Sequence, residues 1–268
     1  MSTELFTGTV DTGHGKIEYF KFGTGRQPFV IIPGLGVTSV IPSGPAVAAA
    51  YEVFADDCTV YLFERIDQMT AGYTIRDMAR DEAEAMQSLG IENADVLGCS
   101  MGGMIAIYLA AEYPELVRKL VISSSLARQN RTSRAVLGRW YELAEKGDVV
   151  ALNRAISAKV YSRMYFEKFK DAFKATEHNG TSRELSHFAT QVGAALHFDA
   201  WEELEKIRAK VMVTGSWNDN VLGARASVEM AAKLKCPLHM HAGYGHACYD
   251  EAPDFKNRLY AFYYMEKD

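Results

Sequence analysis

The chain predicts an α/β fold: a mostly parallel central sheet flanked by helices, with a helical cap insertion. Three features of the sequence lead there. From residue 59 onward, short apolar segments alternate with helical patterns, the order that lays helices over a parallel sheet. Residues 94–97 (ADVL) form an apolar run that passes through a glycine-containing turn into the apolar stretch 101–112. The alternation then stops between about residues 126 and 200, where helical patterns occur without a clear strand.

Residues 16–22 (KIEYFKF) alternate as a half-buried strand does. Residues 29–32 (FVII) are a short apolar run ended by Pro33-Gly34. Residues 59–63, 94–97, 120–122, 211–214 and 237–240 predict further strands. Residues 73–89 set Ile75, Met78, Ala79, Ala83, Met86 and Leu89 on one helical stripe, with Thr74 as N-cap, Asp77 three residues later and Gly90 as C-cap. Residues 101–112 are apolar enough to be buried against a sheet, and Pro114 ends them. Residues 221–234 and 252–265 predict the closing helices. The insertion shows helical patterns at 134–146, 149–161, 165–176 and 183–196. The expected organisation is a core of residues 1–125 and 201–268 with a helical cap of residues 126–200. Such a cap can fold over the C-terminal edge of the sheet, where open α/β folds bind ligands. Its aromatics (Trp140, Tyr141, Tyr161, Tyr165, Phe166, Phe169, Phe173 and Phe188) are expected to be cap core, with a minority lining a pocket.

The 268 residues are 48% apolar and carry a formal charge of -5, an ordinary globular balance that argues against a large nucleic-acid footprint. The N-terminal residues lack a basic and apolar leader, and no apolar run is long enough for a bilayer. A cytoplasmic protein with no membrane partner is therefore expected. The four cysteines lie far apart, and Cys58 and Cys236, beside predicted strands, are expected to be buried thiols. His239 and His241 are two apart with no H-E-x-x-H spacing, so neither a metal nor a cofactor is expected. The expected partner is a small-molecule substrate. The sequence leaves the oligomeric state open.

Gly98, Ser100 and Gly102 form G-x-S-x-G between the apolar strand and the apolar helix. That context makes a common five-residue pattern informative: a tight strand-to-helix turn exposes a serine hydroxyl, and small flanking residues let strand and helix pass closely. A serine hydroxyl needs a base, and the base an orienting acid, in the chain order Ser, Asp or Glu, His. Asp219 lies just past the strand predicted at 211–214, and His246 lies in the glycine-containing loop after the strand predicted at 237–240. Ser100, Asp219 and His246 are therefore the candidate catalytic residues. His239 and His241 sit nearer the strand and suit structural roles. His14, His178, His187 and His197 fall outside the loop, with His197 placed where the cap returns to the core. Asp250 and Glu251 open the terminal helix, where acidic residues are favourable, and Asn218 cannot supply a charge. The oxyanion hole is expected from the backbone amides of Leu35, in the Pro33-Gly34-Leu35-Gly36 loop, and Met101.

The segments IIPGLG, YTIRDMARDEAEAMQSLGI, LGCSMGGMIAIYLAAEYPELVRKLVISS, VTGSWND and GYGHACYDEAPDFKNRLYAF resemble those of the alpha/beta-hydrolase fold superfamily. The likeness covers essentially the whole chain, the cap least specifically, and is strongest to small-ester and carbon–carbon bond hydrolases with a helical lid. It implies Ser100 as nucleophile, Asp219 as acid and His246 as base, with Leu35 and Met101 at the oxyanion positions. Many relatives have His-Gly at Pro33-Gly34, histidine at Cys99, and a glycine-rich stretch where this chain reads FERIDQMTAGYT with Glu64 and Arg65. The expected function is hydrolysis of a small or medium, largely apolar carboxylic ester through an acyl-enzyme on Ser100. The other readings are a C–C bond, lactone or amide hydrolase, an acyltransferase, or a non-catalytic ligand-binding homologue. Arg128, Arg131 and Arg134 are either carboxylate-recognising or solvated.

Overall fold

The strands along the chain are β1 (Phe6–Thr12), β2 (Gly15–Phe22), β3 (Gln27–Ile32), β4 (Cys58–Phe63), β5 (Ala94–Cys99), β6 (Val117–Ser123), β7 (Lys210–Ser216) and β8 (Leu238–His241). In the computed structural model, which describes residues 4–70 and 72–265, they form one sheet in the order β1-β2-β4-β3-β5-β6-β7-β8. β1 and β2 pair antiparallel, as do β2 and β4, and every pair from β4 onward is parallel. Residues 1–3 and 266–268 of the expected core lie outside the described residues.

The helices are α1 (Gly44–Ala50), α2 (Ile75–Ser88), α3 (Met101–Glu112), α4 (Arg131–Glu145), α5 (Val149–Val160), α6 (Arg163–Lys168), α7 (Lys170–Thr176), α8 (Ser182–Leu196), α9 (Ala224–Leu234), α10 (Cys248–Glu251) and α11 (Phe255–Tyr260). β5 is buried along its whole length, as a central strand covered on both faces must be. One core joins α2, α3 and the buried sides of α4 and α8. The other, on the opposite face, joins Phe29, Phe54, Cys99, Phe255 and Phe262. Thr74 and Asp77 close the expected capping box on α2, and Gly90 takes the left-handed φ of 68° just past its end.

Five helices, α4 to α8, lie between β6 and β7. α4 begins at Arg131, three residues earlier than expected, because Asn130 and Ser133 form a reciprocal capping box. The single helix expected over 165–176 is two short ones, α6 and α7, parted at Phe169. The terminal helix is also broken: Ala252 is extended ahead of Pro253, which disfavours helical geometry in the residue before it. β1 and α1 carry no expectation from the sequence, and α9 starts only at Ala224 because the preceding amides of Val221 and Leu222 bind Asp219.

Candidate active site

Ser100 sits between β5 and α3 with φ 54° and ψ -120°, a conformation non-glycine residues rarely adopt. Neighbours hold it there. Its N–H donates to the Ser123 carbonyl at 2.9 Å, and its carbonyl accepts from Ser125 Oγ at 2.7 Å. The flanking glycines permit the approach. A Cβ on Gly102 would lie 2.0 Å from the Ile32 carbonyl oxygen, and one on Gly98 2.6 Å from that of Gly102. The loop after β3 is therefore packed onto the start of α3.

The structure brings Ser100, His246 and Asp219 into one hydrogen-bonded line. His246 Nε2 lies 2.9 Å from Ser100 Oγ, and His246 Nδ1 lies 2.8 Å from Asp219 Oδ2. An ionised carboxylate only accepts, so Nδ1 carries the proton and Nε2 is left to accept from the serine hydroxyl. His246 and Asp219 are both buried. The other Asp219 oxygen accepts from the amides of Val221 at 2.8 Å and Leu222 at 2.9 Å. Burial pushes the Asp219 carboxyl upward, but His246, its hydrogen bond and those two amides together hold it below the ordinary aspartate range.

Leu35 lines the cavity at Ser100, and Met101 is the first residue of α3. Among the described residues neither backbone N–H has an acceptor. Gly34 passes so near that a Cβ there would lie 3.0 Å from Ser100 Cβ. This loop is braced by the two residues that depart from the common pattern. Glu64 accepts from the amides of Val40 at 2.7 Å and Arg65 at 2.8 Å. Buried Arg65 donates to the Pro33 carbonyl at 2.7 Å and pairs with buried Glu82 at 3.6 Å.

The cavity over Ser100 holds about 300 Å³. Leu35, Trp140, Ile156, Val160 and Phe188 give it apolar wall, and Glu64, Arg65, Gln191 and Asp250 give it polar wall. Trp140, Tyr161 and Phe188 are thus the cap aromatics that meet it, while Phe166 stacks on Phe173 within the insertion. The Glu251 carboxylate joins the insertion to the histidine loop. One oxygen accepts from the amides of Ser162 at 2.9 Å and Gly245 at 3.0 Å, and the other accepts from the Ser162 hydroxyl. Ala247 N–H also donates to the Val160 carbonyl at 3.0 Å. Sequence reasoning missed Glu251, Asp250 and the bracing role of Glu64 and Arg65. For the last pair, the departure from the common pattern was the available signal.

The remaining candidates lie elsewhere. His197 lines a separate cavity beside α8, and its Nδ1 lies 2.9 Å from the Gly193 carbonyl. Arg128 is exposed and lies over the Trp201 ring, and neither it nor Arg131 or Arg134 lines the Ser100 cavity. His239 and His241 gather with Asp254, their candidate ligand atoms within 4.8 Å of one another, although their spacing gave no metal motif. Arg258 already pairs with that carboxylate at 2.6 Å. Cys58, Cys99 and Cys248 are buried, but Cys236, expected to be buried, is only half-buried, in the loop between α9 and the edge strand β8. No helix among the described residues is long and apolar enough to cross a membrane.

Such a sheet, with a serine on the sharp turn after a central strand and a histidine and aspartate after the last two strands, defines a recognised class. Residues 27–253 match the model of the alpha/beta hydrolase fold, and the chain belongs to that family. A Rhizobium rhizogenes protein, provisionally named carbamate hydrolase RutD, is 24% identical over 246 residues, spanning 88% of this chain and 92% of that one. The structure of MGS-M2, an alpha/beta hydrolase from a Medee basin deep-sea metagenome library, superposes with a TM-score of 0.86 at 20% identity, covering 97% of this chain and 98% of the other. That of the enol-lactonase of Burkholderia xenovorans LB400 does so at 0.82 and 18%, covering 96% and 99%.

Proposed function

We propose that this protein is a serine hydrolase that cleaves a small carboxylic ester through an acyl-enzyme on Ser100. The observation that carries this reading is the continuous Ser100–His246–Asp219 hydrogen-bonded line opening onto a cavity. His246 Nε2 takes the Ser100 proton as Oγ bonds to the substrate carbonyl carbon. The amides of Leu35 and Met101 stabilise the oxyanion. Collapse of the tetrahedral intermediate breaks the bond to the leaving oxygen, which receives the proton from His246. Water, deprotonated by the same imidazole, then attacks the acyl carbon; the proton returns to Ser100 and the acid departs.

A cavity of about 300 Å³ suits a short acyl or alkyl chain against Leu35, Trp140, Ile156, Val160 and Phe188. The names of the relatives favour a second reading within the same chemistry, a carbamate or lactone in place of a simple ester. Two measurements test the assignment: turnover of short p-nitrophenyl esters by wild type and Ser100→Ala, and fluorophosphonate labelling located by peptide mapping. Label on Ser100 and loss of turnover in the variant are expected. Undiminished turnover in Ser100→Ala sinks the nucleophile assignment, and an unlabelled Ser100 with no turnover of esters, carbamates or lactones favours a binding protein.

A further inference from the structure

Two neighbouring carboxylates on α10 have opposite fates. Glu251 spends both oxygens on Ser162 and Gly245. Asp250 has no hydrogen-bond or ion-pair partner for its carboxylate among the described residues. Asp250 is exposed, and it lines the same cavity as Ser100 and His246, with half-buried Tyr161 and Tyr249. The Tyr161 and Tyr249 hydroxyls are also without partners among the described residues. A solvent-accessible carboxylate in the wall of a cavity is open to water or to a ligand of opposite charge.

The surroundings select the kind of ligand. Burial pushes the Asp250 carboxyl up to about 6; Lys256 and His246 oppose the rise and Glu251 adds to it. Lys256 makes no ion pair with it within the described residues, and its ammonium donates to the Tyr249 carbonyl at 2.6 Å. At the other wall, Arg65 is committed to Pro33 and Glu82, while Glu64 adds a second acid. A carboxylate among tyrosine and tryptophan rings is the arrangement that holds an alkylammonium group, by charge pairing and by cation–π attraction. An anionic substrate would meet two acids and no uncommitted cation.

We propose that Asp250, with the Tyr161 and Tyr249 rings, recognises a cationic amine of the substrate, so that Ser100 acts on a small ester or related acyl compound bearing an alkylammonium group. The turnover half of this statement rests on the reading of Ser100 as nucleophile; the amine site itself does not.

The test uses matched pairs that differ in charge and little in shape. Methyl 4-(trimethylammonio)butanoate against methyl 5,5-dimethylhexanoate places the charge on the acyl side. 2-(Dimethylamino)ethyl acetate against 3-methylbutyl acetate places it on the alcohol side. Hydrolysis is followed by pH-stat for wild type, Asp250→Asn and Asp250→Glu. Wild type should favour the cationic member of at least one pair by about tenfold or more in kcat/KM. That preference should collapse in Asp250→Asn and be partly restored in Asp250→Glu. In parallel, butylammonium is titrated calorimetrically into Ser100→Ala and into Ser100→Ala with Asp250→Asn, a measurement that needs no turnover. Binding to the first and its loss in the second support the site; thermal unfolding of both checks that they are folded. No binding to Ser100→Ala, equal binding to the two, or a charge preference that survives Asp250→Asn overturns it. Amine binding without turnover of any pair counts against the hydrolase reading and supports the amine site. Ser100-dependent turnover with no preference for charge overturns the amine site alone.

Discussion

The two sides of one cavity are built differently. On the Ser100 side, polar groups are matched: serine to histidine, histidine to aspartate, and the second aspartate oxygen to two backbone amides. On the Asp250 side a carboxylate and two phenols face the same space without partners among the described residues. Groups that must keep a fixed geometry through every turnover are held by the protein itself. Groups left unmatched are matched by what enters. On the proposed reading, the first set performs the chemistry and the second selects the substrate.

Substitutions at each end should break that contrast in measurable steps. Ser100→Ala removes the attacking oxygen and is expected to lower kcat by about four to six orders of magnitude, read with any turned-over ester. Asp219→Asn keeps the shape of the acid but no longer fixes the imidazole tautomer; a fall of about 10⁴ in kcat is expected, with little change in the stability of the fold. Asp250→Asn acts on selection, lowering the cationic-to-neutral ratio of kcat/KM by about tenfold or more. pH sharpens the same point. The Asp250 carboxyl of the unliganded protein sits near 6, so amine preference is present above that value and is lost as pH falls through it and the carboxylate protonates. A bound ammonium favours the ionised form and moves that loss to lower pH. In kcat/KM, which reports the groups of the free enzyme, an amine preference that stays constant down to pH 5 would remove Asp250 from recognition. Glu251→Ala is the mildest change. It should destabilise the protein by about 1 kcal/mol in denaturant titration, because the part-buried donors at Ser162 and Gly245 lose their acceptor.

The positions of Ser100, Asp219 and His246 were legible because they are fixed by backbone landmarks. Ser100 follows β5, Asp219 follows β7 and His246 follows β8, and those strands are short apolar runs that any sheet must bury. α2 was legible for a similar local reason, since Thr74, Asp77 and Gly90 mark its ends. β1 was not: residues 6–12 are mostly exposed at the sheet edge and carry little apolar pattern. α1 is a run of small residues without a polar face, and so gives no helical stripe. Asp250 and Glu251 defeated local reasoning most completely. Both read as favourable charges at a helix start, but α10 is a single turn with one residue toward the cavity and the other toward Ser162. Which side each faces depends on where the insertion lies, and no periodicity in the chain encodes that. The expectation of a largely apolar substrate rested on the aromatics of the insertion, of which Trp140, Tyr161 and Phe188 line the cavity; its acids, Glu64 and Asp250, come from outside the insertion.

The link made by Glu251 couples two parts by mechanics. A Cβ on Gly245 would lie 2.6 Å from both Ser162 N and the Val160 carbonyl oxygen, so the chain just ahead of the imidazole is wedged against the α5–α6 junction. Lifting that junction means rupturing the bonds to Glu251 and Ala247 or dragging residues 245–247 along with it. Residues 245–247 include His246, whose Nε2 lies 2.9 Å from Ser100 Oγ. The α5–α6 junction and the loop that carries His246 are thus fastened to one another at a single point of the fold.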